Sequence, residues 1–428
     1  MKPEPDLVRF GFAAAKAKRL EYVDAVRVIL ILLVVAHHSA EAYLSPRMVE
    51  FPLPDPPIPR AWVFLWVNAT FFMGLFFFLA GYFTPGAFDR KGARAFLGDR
   101  WTRLGLPLLF GWIAIVPLAG WTHLVFGPAA VHVDYWTYLT RGFFSIGPKP
   151  DWWPAGARWP DNNLGHLWFL EHLLIYASLY AGLRAAAGIG PKMPAIEPPS
   201  HGAIAAYALL LAAATFAIRI WYPQDRWIGF LGYIQMEPAH LPQYASLFVI
   251  GLMAAPGRWI DTMPTRRGLI WLAIGAGLAV AAYLLVGAGV IRGFASQDWR
   301  VCAWESFLCV GLCVGLPVLC RELRLGGGRI WRALAANVYA VYVFHFPIVL
   351  LMQWALIDAP APKWARLFMT VAAAIVASFA FANWVILRLT RGESFDPRGR
   401  RAGRKWRRRA DPPVGPMNAR EARESGLG

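Results

Sequence analysis

The chain of 428 residues is 57% hydrophobic and 15% aromatic but only 16% charged, a balance that excludes an ordinary water-soluble domain and predicts a polytopic membrane protein. Its formal net charge of +17 does not point to nucleic acid, because the basic residues flank apolar runs and form no soluble basic domain. Apolar runs recur throughout, so a single membrane domain at 23–389 is predicted, with a cytoplasmic segment at 1–22 before it and a basic tail at 390–428 after it.

The predicted fold class is all-α, a membrane helix bundle of about ten transmembrane helices. The spans read as 23–44, 62–83, 104–126, 166–187, 202–221, 241–255, 268–288, 301–320, 333–357 and 364–389. The first run is full length, carries polar residues and lacks a small-residue cleavage site, so it reads as a retained helix. FPLPDPPIPR between the first two spans reads as a stiff external connector. In the largest external segment, DWWPAGARWPDNN supplies Trp152, Trp153 and Trp159, which suit either an interfacial aromatic belt or stacking on sugar rings. The sixth span is short and follows the apolar stretch 227–234, so a broken or re-entrant element is predicted there. Cys302, Cys309, Cys313 and Cys320 return to one helical face, which suits helix packing and implies no disulfide framework. No internal repeat is visible.

With the N-terminus inside, 31 Lys and Arg fall on the inner side and 11 on the outer, which satisfies the positive-inside rule with both termini cytoplasmic. The tail, with RRAGRKWRRR, has little apolar material to bury and reads as disordered. Its basic run either touches anionic lipid or serves only as a topology signal.

Ionisable groups inside a span are costly unless they meet a partner or a polar interior, which makes them functional candidates. YVDAVRVILILLVVAHHSAEAY, from Tyr22 to Tyr43, holds Asp24, Arg27, His37, His38 and Glu41. Arg27 and His38 are close to three turns apart and share one stripe, roughly 16 Å apart along the axis. Asp24 is placed to orient Arg27, and Glu41 to hold either histidine. His38 lies just past the midplane, His345 in VYAVYVFHFP at matching depth, and His166 in LGHLWFLEHLLIY at the outer face, followed by Trp168 and Glu171. Arg27, Arg100 and Arg103 lie at the inner mouth, where guanidinium groups suit phosphate oxygens. A phosphorylated donor would meet them first and push its reactive end towards His38. A histidine there can remove a hydroxyl proton as the oxygen attacks a thioester carbonyl. Duller roles also fit: helix-to-helix hydrogen bonding for His345, capping for His166 and topology signalling for Arg100 and Arg103. No HxxxH or comparable spacing points to a metal.

These residues resemble the acyltransferase-3 family of multi-span membrane enzymes that acylate extracytoplasmic glycans and other acceptors. Asp24, Arg27 and His38 follow its opening signature, and FFFLAGYF (Phe76 to Phe83) resembles its SGYF element with Ala80 in place of Ser. FLGDRWTRLGLPLL, HLWFL (His166 to Leu170) and YAVYVFHFP (Tyr339 to Pro347) complete an ordered set over residues 20–390. The resemblance implies acyl-CoA as donor at the inner side, His38 as the catalytic histidine, and Arg27, Arg100 and Arg103 as donor-side residues. HLWFL and the short connections are similar to the subgroup containing glucan-modifying succinyltransferases. No fused hydrolase-like domain follows the membrane core, so hand-over to such a domain would need another protein.

The resulting expectation is an O-acyltransferase of the inner membrane, taking an acyl group from acyl-CoA to a hydroxyl of an extracytoplasmic carbohydrate or lipid-linked glycan. Its catalytic residues would be His38, Arg27 and Asp24, with His166, Trp168, Glu171, Tyr342 and His345 facing the acceptor. No nucleic acid and no metal are expected. A proton-coupled transporter of a glycan or acidic small molecule is the main rival, since membrane histidines also relay protons. An inactive scaffold is a third reading.

Overall fold

A computed structural model describes residues 20–44, 56–126, 131–155, 157, 159–188, 194–230, 234–293 and 295–391. The leading segment before Leu20, the tail beyond Arg391 and half of the Pro-rich connector lie outside the described residues. Of the described residues, 76% are helical. Among the described residues the expected all-α class holds, with one small exception, an antiparallel hairpin of β1 (Ile228–Phe230) and β2 (Ile234–Met236) that pairs Ile228 with Met236.

α1 (Glu21–Leu44) is the central helix. Its residues are apolar around nearly the whole circumference, as a helix enclosed by others requires, and Val26, Leu30, Ile31, Val34 and Val35 are all buried. α2 (Val63–Arg100) is 38 residues long and breaks at Gly92, where φ is +73°, a left-handed backbone that glycine adopts without steric cost. A π-helical turn (Trp101–Gly105) joins it to α3 (Leu106–Ala114) and α4 (Val116–Phe126). After a short turn, α5 (Tyr135–Thr137), come α6 (Trp168–Ala186), α7 (His201–Arg219) and α8 (Leu241–Ala254). α9 (Trp259–Thr262), α10 (Thr265–Gly287), α11 (Trp299–Glu322), α12 (Gly328–Leu356) and α13 (Lys363–Arg391) complete the chain. α1 packs against α2, α11, α12 and α13.

Among the described residues, seven helical stretches are long and apolar enough to cross a membrane by length and composition alone, where ten spans are expected. The second and third expected spans fall within one continuous helical stretch, Val63–Phe126. The fourth, α6, is helical but is diluted by Glu171, His172 and Arg184, all buried. The sixth, α8, has 14 residues, about 21 Å of helix, too short to cross a hydrocarbon core of about 30 Å unaided. The hairpin before it is the interruption that its length suggested.

Glycines set two of the closest crossings. A Cβ at Gly81 of α2 would run into the Phe248 carbonyl of α8, and one at Gly251 into the Phe78 carbonyl, so the two backbones touch. Gly311 and Gly315 of α11 lie likewise against Trp271, Leu272 and Gly275 of α10. The four cysteines are buried and free, with Cys309 and Cys313 sulfurs 3.8 Å apart. Trp153 is also buried, stacked on Tyr138, and Trp159 donates its indole N–H to the Arg141 carbonyl at 3.0 Å. Those two tryptophans pin down the connection that leads to α6.

Candidate active site

Four sequence-distant stretches meet around His38. One turn beyond it on α1, Glu41 is buried between two imidazoles: Oε2 lies 3.0 Å from His38 Nδ1, and Oε1 lies 3.3 Å from His37 Nε2. His37 is engaged at both ring nitrogens, because its Nδ1 also lies 3.3 Å from the Asn68 amide nitrogen. That amide donates, so the Nδ1 of His37 accepts and its Nε2 carries the proton shared with Glu41. The same logic puts a proton on His38 Nδ1, facing the carboxylate, and leaves Nε2 as the basic nitrogen. A carboxylate that orients an imidazole through Nδ1 and stabilises its cationic form recurs in general-base catalysis.

The His38 ring lies 5.4 Å from the His345 ring and 5.2 Å from the Phe346 ring, centre to centre. His345 in turn lies 5.1 Å from His166, which stacks on Phe346 at 5.1 Å. The three histidines expected at mid-depth and at the outer face therefore form one group. His345 is fully buried, and its Nδ1 donates to the carbonyls of Tyr342 at 2.8 Å and Val341 at 3.1 Å. Its Nε2 is buried with no hydrogen-bond partner among the described residues. His166 donates from Nε2 to the Val343 carbonyl at 3.1 Å, and the Tyr342 hydroxyl donates back to the His166 carbonyl. Tyr342 thus fixes the two helices that carry the histidines.

Trp168 and Glu171 sit to one side of this group. Trp168 stacks on Tyr244 of α8 at 5.2 Å, and Glu171 accepts the Gln235 backbone N–H of β2 at 3.2 Å. Beyond them, at the end of the bundle where α7 ends and α11 begins, is a polar network that the sequence reading did not single out. Buried Arg219 pairs with Glu305 at 2.6 Å, and Glu305 also accepts from the indole of Trp66 at 3.0 Å and from Gln224 at 3.2 Å. Next to it, burial disfavours the charged Glu237 carboxylate, but His240 at 2.7 Å and the Asp225 amide together hold it below the usual carboxylate range.

The arginines lie towards the opposite end, where α1 and α12 begin. Arg27 bonds Asp24 at 3.4 Å, the expected pairing one turn apart, and its guanidinium sits 4.8 Å from the Phe83 ring centre. Arg100 is buried with its guanidinium 4.9 Å from the Phe96 ring centre. Asp99 takes both Arg103 and, from across the Gly92 break, Lys91, each at 2.8 Å. The Tyr339 hydroxyl donates to the Arg103 carbonyl.

Two residues at the site escaped the sequence reading. Gln353 of α12 donates to the carbonyls of His38 at 3.1 Å and Ser39 at 3.3 Å, and Asn68 holds His37. Both are polar side chains within apolar spans, the same signal that drew attention to the histidines. Among the described residues, no group of three or more His, Cys, Asp or Glu could hold a metal.

Fold and site together define a multi-pass membrane protein with a carboxylate-held histidine inside its bundle and arginines towards one end. The acyltransferase-3 sequence model, described as an acyltransferase domain, matches residues 20–383, and the chain belongs to that family. It is an acyltransferase that moves groups other than amino-acyl groups. Similar relatives include proteins named glucans biosynthesis protein C from Salmonella gallinarum, Salmonella paratyphi B and Salmonella heidelberg. Each is 25% identical over 366 residues, covering 79% of this chain and 84% of the relative. No solved structure matches.

Proposed function

We propose that the protein is an O-acyltransferase of the inner membrane that moves an acyl group from cytoplasmic acyl-CoA to a hydroxyl of an extracytoplasmic carbohydrate or lipid-linked glycan. The observation that carries this reading is the Glu41–His38 pair 5.4 Å, ring to ring, from His345, whose buried Nε2 has no hydrogen-bond partner among the described residues. The glucan in the relatives' names supports a carbohydrate acceptor. Arg27, oriented by Asp24, holds the donor's phosphates together with Arg100 and Arg103, through charge-assisted hydrogen bonds. The chain crosses the bilayer about ten times with both termini in the cytoplasm, the membrane domain occupies 23–389, and α6 and α8 complete the crossings that length and composition alone leave open.

In the transfer step, Nε2 of His38 takes the proton of the acceptor hydroxyl as that oxygen attacks the thioester carbonyl. The tetrahedral intermediate collapses, the carbon–sulfur bond breaks, and the proton passes from His38 to the leaving sulfur, giving an ester and free CoA. Glu41 stabilises the imidazolium between these two transfers. His166, Tyr342 and His345 line the acceptor's approach, with Nε2 of His345 accepting from a second hydroxyl of the acceptor, next to the reacting one. Trp168 and Glu171 shape the outer wall.

Proteoliposomes with acyl-CoA on the side of the arginines and a glucan on the other test the reading. Free CoA and acylated glucan, detected by mass spectrometry, are expected only when both substrates are present. Flux of unmodified glucan without CoA release would overturn it.

A further inference from the structure

Between α7, α8, α9 and α11, with Phe78 of α2 behind them, at the end where α7 begins and α8 and α11 finish, lies a cavity of about 220 Å³. Its wall is almost entirely hydrocarbon, from Phe78, Leu247, Ile250, Met263, Val310 and Val314. The polar groups that border it already have partners. Tyr207 shares a hydrogen bond with Ser246 at 2.9 Å, Cys313 contacts Cys309, and the Trp259 indole donates to the Ile196 carbonyl. A polar ligand would have to give up water for carbon, which costs free energy that nothing in the cavity returns.

The surroundings indicate what does fit. The lining residues Ala203 of α7 and Met253 of α8 are exposed, as are Leu209 and Leu210 further along membrane-spanning α7, so the cavity opens on a face whose neighbouring solvent is lipid hydrocarbon. The rim of the cavity is basic. Arg258, whose side chain is 70% exposed, and exposed Arg266 flank the lining residues Trp259 and Met263. Arg267 donates to the carbonyl of Pro199, another lining residue, and Arg321 to the carbonyls of Ile260 and Met263. Asp261 and Glu322 oppose these four arginines, which leaves a net positive rim.

We infer that the cavity seats one acyl chain of an anionic phospholipid, with its headgroup phosphate held at the Arg258 and Arg266 rim. An apolar slot open to hydrocarbon and a cationic edge at headgroup level are complementary to the two halves of that molecule. The inference needs only that the chain spans a membrane and is independent of the transfer reaction proposed above.

Native mass spectrometry of the full chain, delipidated in detergent and titrated with phosphatidylglycerol or with phosphatidylcholine of the same chains, tests it. One phosphatidylglycerol is expected to be retained in preference to phosphatidylcholine. Arg266→Gln should weaken its retention about fivefold, the factor that one arginine contributes near an anionic surface, and leave phosphatidylcholine unchanged. Val314→Trp fills the slot and should abolish retention of both lipids, and Ala203→Leu does the same with a smaller change should the tryptophan prevent folding. Wild-type retention by either filled variant with an unaltered thermal unfolding midpoint would overturn the chain site, and equal retention of the two headgroups would overturn the anionic preference.

Discussion

His38 Nδ1 lies 3.0 Å from Glu41 Oε2, while the other oxygen of the same carboxylate reaches His37. The two adjacent histidines are therefore not equivalent. His37 is held at both nitrogens, by Glu41 and Asn68, whereas His38 turns its ring towards His345 and Phe346. His38→Ala should cut acyl transfer at least about a hundredfold, the lower range for removing a general base. His37→Ala should instead act mainly on stability, leaving Glu41 and Asn68 short of a partner at about 1–3 kcal/mol. Comparing transfer rates with unfolding midpoints for the two variants separates these roles.

Glu41→Gln keeps the side chain's shape but removes the charge that steadies the imidazolium. The expected result is a lower kcat with little change in the acceptor's KM, because the lost interaction exists mainly in the transition state. A raised KM with unchanged kcat would instead assign Glu41 to substrate binding. The measurement is a steady-state titration of acceptor at saturating donor.

Much of this site was legible because polar residues are rare in apolar helices. Each sequence stretch that drew attention meets another in space: His38 meets His345, His166 meets Tyr342, Arg27 meets Phe83, and Tyr339 meets Arg103. The Gly81 crossing explains a glycine that sequence alone could only match to a family element. Partner choice was not legible. Spacing placed Glu41 within reach of either histidine, but the difference between them is decided by Asn68, 31 positions away on another helix. Length and apolarity alone pass over α6 for a related reason, since buried Glu171 and Arg184 lower its apolarity while their partners Gln235 and Asp89 on other elements offset the cost.

In the proposed mechanism Arg27 links the helix that carries His38 to the donor. Removing a charge-assisted hydrogen bond costs about 1.5–3 kcal/mol, so Arg27→Ala should lower kcat/KM for acyl-CoA by roughly ten- to a hundredfold. Arg27→Lys restores the charge but not the planar fork, and only partial recovery is expected. The effect should fall on the donor's KM and spare the acceptor's, as read from paired titrations in proteoliposomes.

The buried Arg219–Glu305 pair, at 2.6 Å, offers a test of what holds the opposite end together. Glu305 also anchors Trp66 and Gln224, so one carboxylate ties α2, α7, α11 and the connection after α7. Removing it by Glu305→Ala leaves the Arg219 guanidinium buried without its counter-charge, and breaking such a pair costs about 3–5 kcal/mol. Replacing both partners with apolar residues, Arg219→Met with Glu305→Leu, removes the stranded charge and should recover much of the loss, because the pair's own attraction is largely offset by desolvation. Thermal unfolding of the single and double variants in one detergent reads this directly. If the double variant is as unstable as Glu305→Ala, the stabilisation comes from the hydrogen bonds to Trp66 and Gln224, which neither apolar side chain can replace.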